Sequence, residues 1–529
     1  MLCHVVCAAQ HGVGKQRTAM TGEVMNQAAS TTVDRPLRYA VIGAGMSGIL
    51  AAKRLLERPE VASVTVFEKA ARIGGTWREN RYPGLTCDVM AHAYTYSFAP
   101  NPDWSCVMAG GAEICDYFAA VWRRYGVDKV TRFNAEVTLC EWRGQEWYLE
   151  ASDGTRAEFD VVIVASGVLH HPNVPDLPGL AEFQGQAFHS ARWPDGLALE
   201  GQRIGIIGNG STGVQLVSAL AGRAQVTQFQ RTPQWVMKID NRPFSDEERA
   251  YFRANPAAVE AIRKDPEYLR LVKRFNDAIT QPDSREMAEI EAIVRQDLEQ
   301  AVTDLALRAK LTPDYRAACK RLVYSCDYYA ALQRPGVAVV REGIERIEAA
   351  GVRTRDGVLH PLDLLVLATG FHADRFIRPT RVVGHGGVTL DERWAKRPSG
   401  YLAVTVPDFP NFFMLNGPTS PVGNFSLIEI AEAQWGYIEQ LLDEVRTGRC
   451  VAIAPTAAAM ADYEVRRVAA AKTTIFASGC HSWYLDQEGV PATWPWGYSA
   501  FFEAMAQPAL AAFEYFAADG RRTSARGVS

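Results

Sequence analysis

Short apolar runs alternate with longer amphipathic stretches through most of this chain. The first run, Leu37 to Ile42, has the length of a single buried strand and leads directly into Gly43-Ala44-Gly45-Met46-Ser47-Gly48. A helical pattern then continues through Leu56, and Val64 to Phe67 supplies a second strand that stops at Glu68. The same design returns at Arg203 to Ile207, which enters Gly208-Asn209-Gly210-Ser211-Thr212-Gly213 and a helix reaching about Ala221. Two strand-loop-helix-strand starts predict an α/β protein with two dinucleotide-binding, Rossmann-like domains.

The segment from about 244 to 310 reads as a helical insertion riding on the second domain, because Glu, Arg, Lys and Ala dominate it and strand formers are scarce. Two further apolar runs, Val161 to Val164 and Leu364 to Leu367, each followed by a small residue and glycine, mark crossings between the domains. The expected division is therefore 1–36 as an extension without period, 37–180 as the first part of the first domain and 181–362 as the second domain. Residues 363–529 are expected to return to the first domain and add a C-terminal substrate or lid region.

Composition narrows the class. The 529 residues carry a formal net charge of -4, with 48% hydrophobic and 22% charged positions, which excludes a broad basic surface for nucleic acid. No run is long enough for a membrane helix. Ten cysteines are scattered without metal-ligand spacing, which predicts no metal site and a reducing, cytoplasmic setting. Oligomeric state is not encoded in any of these patterns.

The glycine loops carry the first chemistry. Gly43 allows the tight turn, Gly45 lets backbone N–H groups approach a pyrophosphate, and Gly48 lets the helix pack close to the strand. Glu68 stands where an acid accepts hydrogen bonds from an adenosine ribose. Gly208, Gly210 and Gly213 repeat the spacing, but there the strand ends in Arg231-Thr232-Pro233. A cation suits a ribose 2′-phosphate, so NADPH is expected rather than NADH, with a plain surface arginine as the alternative. Only Cys87 lies between Glu68 and Met90, so a dithiol redox centre is not expected.

Gly74-Gly75-Thr76-Trp77, Tyr82-Pro83-Gly84 and Asp88 fill every fixed position of the fingerprint G-G-x-W-x4-Y-P-G-x3-D of Baeyer-Villiger monooxygenases. Phe183, Gly185, His189 and Trp193-Pro194 reproduce that family's second signature, just ahead of the second glycine loop. The chain thus resembles a type I Baeyer-Villiger monooxygenase from Leu37 to about Trp483. The related enzymes that oxygenate nitrogen or sulfur end the second signature differently, so Trp193-Pro194 favours the ketone-oxidising branch. A non-catalytic or uncoupled NADPH-binding flavoprotein is the alternative from another class.

The resemblance implies FAD and NADPH as cofactors, and O2 plus a hydrophobic ketone or aldehyde as substrates. The product would be an ester or lactone, formed through a flavin peroxide. It implies FAD contacts at Ser47, Glu68, Thr76, Trp77, Asp88, Tyr94 and the backbone of Val137, with Asn424 in the flavin-side wall. It implies NADP contacts at Ser211, Thr212, Gly213, Gln215, Arg231 and Thr232, with Lys320 adding charge near the 2′-phosphate.

The active-site arginine falls on Arg321, a cation that cannot lose its proton, and Asp88 beside it would orient that cation. A purely structural ion pair is the plainer reading. His189 belongs to the catalytic set by resemblance, through coupling of domain and cofactor movements rather than as a base; simple packing is the alternative. After Ser482-Trp483-Tyr484 the chain departs from the usual glycine-containing lid and reads Leu485-Asp486-Gln487-Glu488-Gly489-Val490. The aromatic residues from Trp494 to Tyr515 suit either a substrate pocket or dense core.

Overall fold

The computed structural model describes residues 36–422, 425–519 and 521–524. The first domain is built on a parallel sheet in the order Phe412–Met414, Val161–Val164, Leu37–Ile42, Val61–Phe67, Thr131–Arg132. The second repeats it with Gln186–His189, Leu364–Leu367, Arg203–Ile207, Gln225–Phe229, Val337–Val340. Val161–Val164 and Leu364–Leu367 are buried along their whole length. Layers on both faces of a parallel sheet explain why these runs are continuously apolar rather than alternating.

In each sheet the glycine loop leaves the central strand at its C-terminal end, beside the strand where the order reverses. That is the crevice in which open α/β sheets bind ligands. The expected boundary at 363 needs moving: Leu364–Leu367 is hydrogen-bonded between the strands Arg203–Ile207 and Gln186–His189 of the second sheet. The chain returns to the first domain only after this strand.

The insertion forms helices Asp246–Ala254, Pro256–Arg263, Pro266–Thr280, Arg285–Ala301 and Leu305–Leu311. Local sequence explains their starts. Ser245 and Glu248 form a reciprocal capping box, and Asp265 caps the helix that opens with Pro266. The insertion does not ride on the second domain alone. Phe252, Val259, Ile262 and Tyr268 join the first domain's core, whereas Met287, Ile290, Val294 and Leu298 join the second's. It therefore spans both, a property that helical period cannot reveal because it concerns which partner each face meets.

Among the described residues, no helix is long and apolar enough to cross a membrane. Trp494, Phe501, Phe513 and Tyr515 are buried in the first core, so these aromatics are packing.

Candidate active site

A single cavity of about 1230 Å³ runs between the two glycine loops and takes residues from both domains. At its first end Gly43 has φ +106°, and a Cβ there would lie 2.6 Å from the carbonyl oxygen of Ala165. A Cβ on Gly48 would sit 1.8 Å from the Gly43 oxygen, so the third glycine lets the helix close onto its own loop. Gly45 faces Gly75, leaving a backbone-lined floor on the cavity wall. Such a cradle fits a pyrophosphate at the N-terminus of the helix Met46–Leu56.

Glu68 is buried beside this floor. Its carboxylate accepts from Ala44 N–H and Ala70 N–H, both at 2.9 Å, and from the Arg78 guanidinium at 2.9 Å. The spacing pointed to Glu68 but gave no hint of Arg78, which neutralises it. Trp77 donates to the Tyr94 hydroxyl at 3.1 Å. Burial pushes the Tyr94 phenol well up, so it stays neutral and can accept that bond. Ser47 accepts from Asn416 Nδ2 at 3.0 Å, and Asn416 Oδ1 is buried without a partner in the protein. That orphaned acceptor lies in the cavity wall, where a flavin N–H would satisfy it. Asn416 escaped the sequence reading because a lone asparagine before a glycine looks like any turn. Thr76 and Val137 also line the cavity, and the Val137 carbonyl accepts from Thr380 at 2.8 Å. Asn424 lies outside the described residues.

Both sequence signatures meet at the domain junction. Tyr82 donates to Gln215 Oε1 at 2.9 Å and accepts from Thr212 at 3.2 Å, while Gln215 Nε2 reaches the Thr86 carbonyl at 3.0 Å. A side chain on Gly84 would clash with Ala219 and the Gln215 carbonyl, each 2.8 Å from its Cβ. Thr212 and Gln215, expected as NADP contacts, thus direct their side chains to the first domain. Arg81 adds a bond to the Trp193 carbonyl at 3.2 Å, so the two fingerprints touch each other.

At the second loop, Gly208 has φ +116° and its Cβ would lie 2.3 Å from the Ala368 oxygen, the same constraint as at Gly43. A Cβ on Gly213 would lie 2.3 Å from the Gly208 oxygen, whereas one on Gly210 would meet nothing within 4 Å. Ser211 begins the helix Ser211–Leu220 and faces the cavity. Arg231 is exposed at the rim, and Lys320 donates to Thr232 Oγ1 at 2.8 Å. Burial, and then the charge of Arg231, lower the Lys320 pKa. Two cations that raise each other's energy at one rim fit a phosphate dianion, which would relieve both.

Between the loops, Arg321 points its guanidinium at Asp88. Arg321 Nε donates to Asp88 Oδ2 at 3.1 Å, and Nη2 makes a second short bond to the same oxygen. Arg321 precedes the strand Val323–Ser325, and its carbonyl accepts from Gln234 at 2.5 Å, which fixes the backbone behind the cation. Burial by itself would weaken the cation. The Asp88 charge and the Tyr484 hydroxyl more than offset it, so Arg321 is held above its ordinary pKa.

His189 lies at the crossing between the domains, where the coupling role expected of it would act. It is buried and absent from the cavity lining; its Nδ1 accepts from Ala191 N–H at 3.1 Å and its Nε2–H donates to the Gly370 carbonyl at 2.9 Å. Burial lowers its pKa, favouring the neutral ring that this pattern needs. Both nitrogens are engaged at the crossing after Leu364–Leu367, which leaves neither free to face the cavity. The cysteines differ from expectation. Cys319 and Cys480, 161 positions apart, form a disulfide, while Cys87, Cys106, Cys115, Cys140, Cys326 and Cys450 are free.

The family described as flavin-binding monooxygenase-like matches residues 37–247. An uncharacterised monooxygenase of Mycobacterium tuberculosis is 44% identical over 457 residues, which are 86% of this chain and 91% of that protein. A Baeyer-Villiger monooxygenase of Streptomyces coelicolor is 39% identical over 469 residues, 88% of this chain and 89% of its own. Among solved structures, cyclohexanone monooxygenase from Rhodococcus sp. Phi1 bound to NADP+ superimposes with a TM-score of 0.79 at 30% identity, over 89% of this chain and 97% of that one. A steroid monooxygenase bound to NADP gives the same TM-score of 0.79 at 30% identity. Identity of this extent, over more than four fifths of both chains, makes the chain a member of the FAD-dependent, NADPH-using Baeyer-Villiger monooxygenases.

Proposed function

We propose that this monooxygenase inserts one oxygen atom of O2 beside the carbonyl of a hydrophobic ketone or aldehyde, giving an ester or lactone, and that Arg321 is its catalytic residue. The observation that carries this reading is the Arg321–Asp88 pair on the wall of a cavity shared by both glycine loops. Bound FAD, reduced by NADPH, supplies the activated oxygen. The floor at Gly45 and Gly75, with Glu68, Trp77 and Tyr94, would hold FAD. The helix start at Ser211, with Arg231, Thr232 and Lys320, would hold NADPH.

Arg321 supplies fixed positive charge where negative charge develops on the reacting oxygens. Because a guanidinium does not titrate in the working range, that charge is present at every step. Asp88 orients it and keeps the buried charge compensated. A cytoplasmic setting is proposed with this function, in which the Cys319–Cys480 bridge would be transient or redox-sensing.

The test follows NADPH oxidation in air by the yellow holoenzyme against a ketone panel, with ester and hydrogen peroxide both measured. Ester matching NADPH consumption is the expected result; products from sulfides or amines alone would overturn it. Arg321→Ala should retain flavin and lose ester formation by on the order of 10²–10³-fold, the usual effect of removing a donor to a developing anion. Undiminished turnover by that variant would remove Arg321 from the chemistry.

A further inference from the structure

Cys319 immediately precedes Lys320 and Arg321, and Cys480 immediately precedes the strap His481-Ser482-Trp483-Tyr484. Their bridge, with a Cα–Cα distance of 6.1 Å, therefore fastens the strap to the segment that carries the active-site cation. The strap is where the sequence leaves its family's usual lid, and its own residues explain how it is held. Asp486 Oδ1 accepts from Glu488 N–H at 2.8 Å and Val490 N–H at 2.9 Å, closing a tight turn. Asp486 Oδ2 pairs with Arg397 at 3.0 Å, both side chains only 8% exposed, and Glu488 also pairs with Arg397. Arg467, fully buried, donates to the Pro491 carbonyl at 2.9 Å.

Arg397 follows Trp394 of a first-domain core, whereas Cys319 lies among second-domain core residues. One end of the strap is thus held ionically to the first domain and the other covalently to the second. Between the anchors, Tyr484 is 2% exposed, is packed on Phe476 at 4.4 Å and lines the same cavity as Arg321, where it adds to the field that raises the Arg321 pKa. Trp483 beside it is 47% exposed and lines the cavity.

Building on the function proposed above, we infer that Tyr484 is a positioning residue for Arg321 and that the Cys319–Cys480 bridge is the redox-controlled fastener that seats it. Disulfides in reducing compartments are typically transient or redox-sensing, and the other six cysteines among the described residues are free thiols. Opening the bridge takes two electrons and two protons from a dithiol: the S–S bond breaks, two thiols form, and the dithiol becomes a disulfide. Hydrogen peroxide, the product of uncoupled turnover, closes it again, as two thiols give one S–S bond and two waters. Peroxide leaking from a loosened site would in this way restore the strap.

The experiment uses the air-isolated holoenzyme before and after treatment with dithiothreitol. Peptide mapping without reduction should recover Cys319 linked to Cys480. Reduction should open chymotryptic cleavage at Trp483 to Leu485 and raise the share of NADPH electrons released as peroxide. Cys480→Ser should match the reduced enzyme and no longer respond to dithiothreitol. Tyr484→Phe, with the bridge intact, should lower kcat about two- to tenfold, the effect of one lost polar group beside the cation, and leave flavin content and the KM for NADPH unchanged. Free thiols at both positions in the isolated protein, or a reduction that lowers melting temperature with cleavage and peroxide share unchanged, would overturn the inference. If no ketone yields ester, the functional reading fails by itself, and the cleavage pattern still decides the fastener.

Discussion

The two glycine loops share the constraints at their first and third glycines, yet the strands that follow them end in opposite electrostatics. Gly43 and Gly208 both have strongly positive φ, and Gly48 and Gly213 both press against the oxygen of their loop's first glycine. Beyond the first loop stands Glu68, buried and neutralised by Arg78. Beyond the second stand Gln230, whose Oε1 accepts from Asn209 at 3.0 Å, and the exposed Arg231. Backbone shape therefore specifies only that a dinucleotide is bound. Which dinucleotide is set by a few side chains at the strand end, and the first site does it with a buried charge pair where the second uses neutral amides and a solvent-facing cation.

The sharpest way to break this contrast is Arg78→Ala. Glu68 would become a buried carboxylate without its counter-charge, a change that costs about 3–5 kcal/mol when one partner of a buried pair is removed. The variant should lose flavin and unfold at clearly lower urea concentration. Wild-type flavin absorbance and stability would mean that Ala44 N–H and Ala70 N–H suffice to hold the charge.

Arg231→Ala should act only at the second site. An exposed cation adds nothing to folding that must be replaced, so flavin content and melting temperature should be unchanged. The KM for NADPH should rise about 10- to 100-fold, as a charge-assisted contact to the 2′-phosphate is lost, with the KM for NADH unaltered. Equal effects on both nucleotides would end the assignment of Arg231 to that phosphate.

This contrast also explains what could be read from the chain. Glycine spacings, strand runs and helix caps are local, so both loops, the helices of the insertion and the acid-versus-arginine difference were legible. Partners distant in sequence were not. Arg78 neutralises Glu68 through a fold in the loop, Asn416 reaches Ser47 from 369 positions away, and Cys319 meets Cys480 across 161 positions. Leu364–Leu367 was misassigned for the same reason, since an apolar run fixes a strand but not its sheet. His189 satisfied a motif whose geometry turned it away from the cavity.

The smallest expected effect sharpens the contrast through pH. Lys320 has its pKa lowered first by burial and then by the Arg231 charge, so its ammonium is lost at a pH below the usual lysine range. On the proposed function, the protonated form would bind the 2′-phosphate. The KM for NADPH should therefore rise as pH climbs through that lowered pKa, while the KM for NADH, which lacks the phosphate, stays flat over the same interval. In Arg231→Gln the repulsion is gone and the Lys320 pKa moves back up. The alkaline limb must then shift to higher pH, even though the overall KM is larger. Lys320→Arg should erase the limb, because a guanidinium keeps its charge throughout. A limb that stays in place in Arg231→Gln would mean that the two cations do not share one anion, and the second site's polarity would then rest on Arg231 alone.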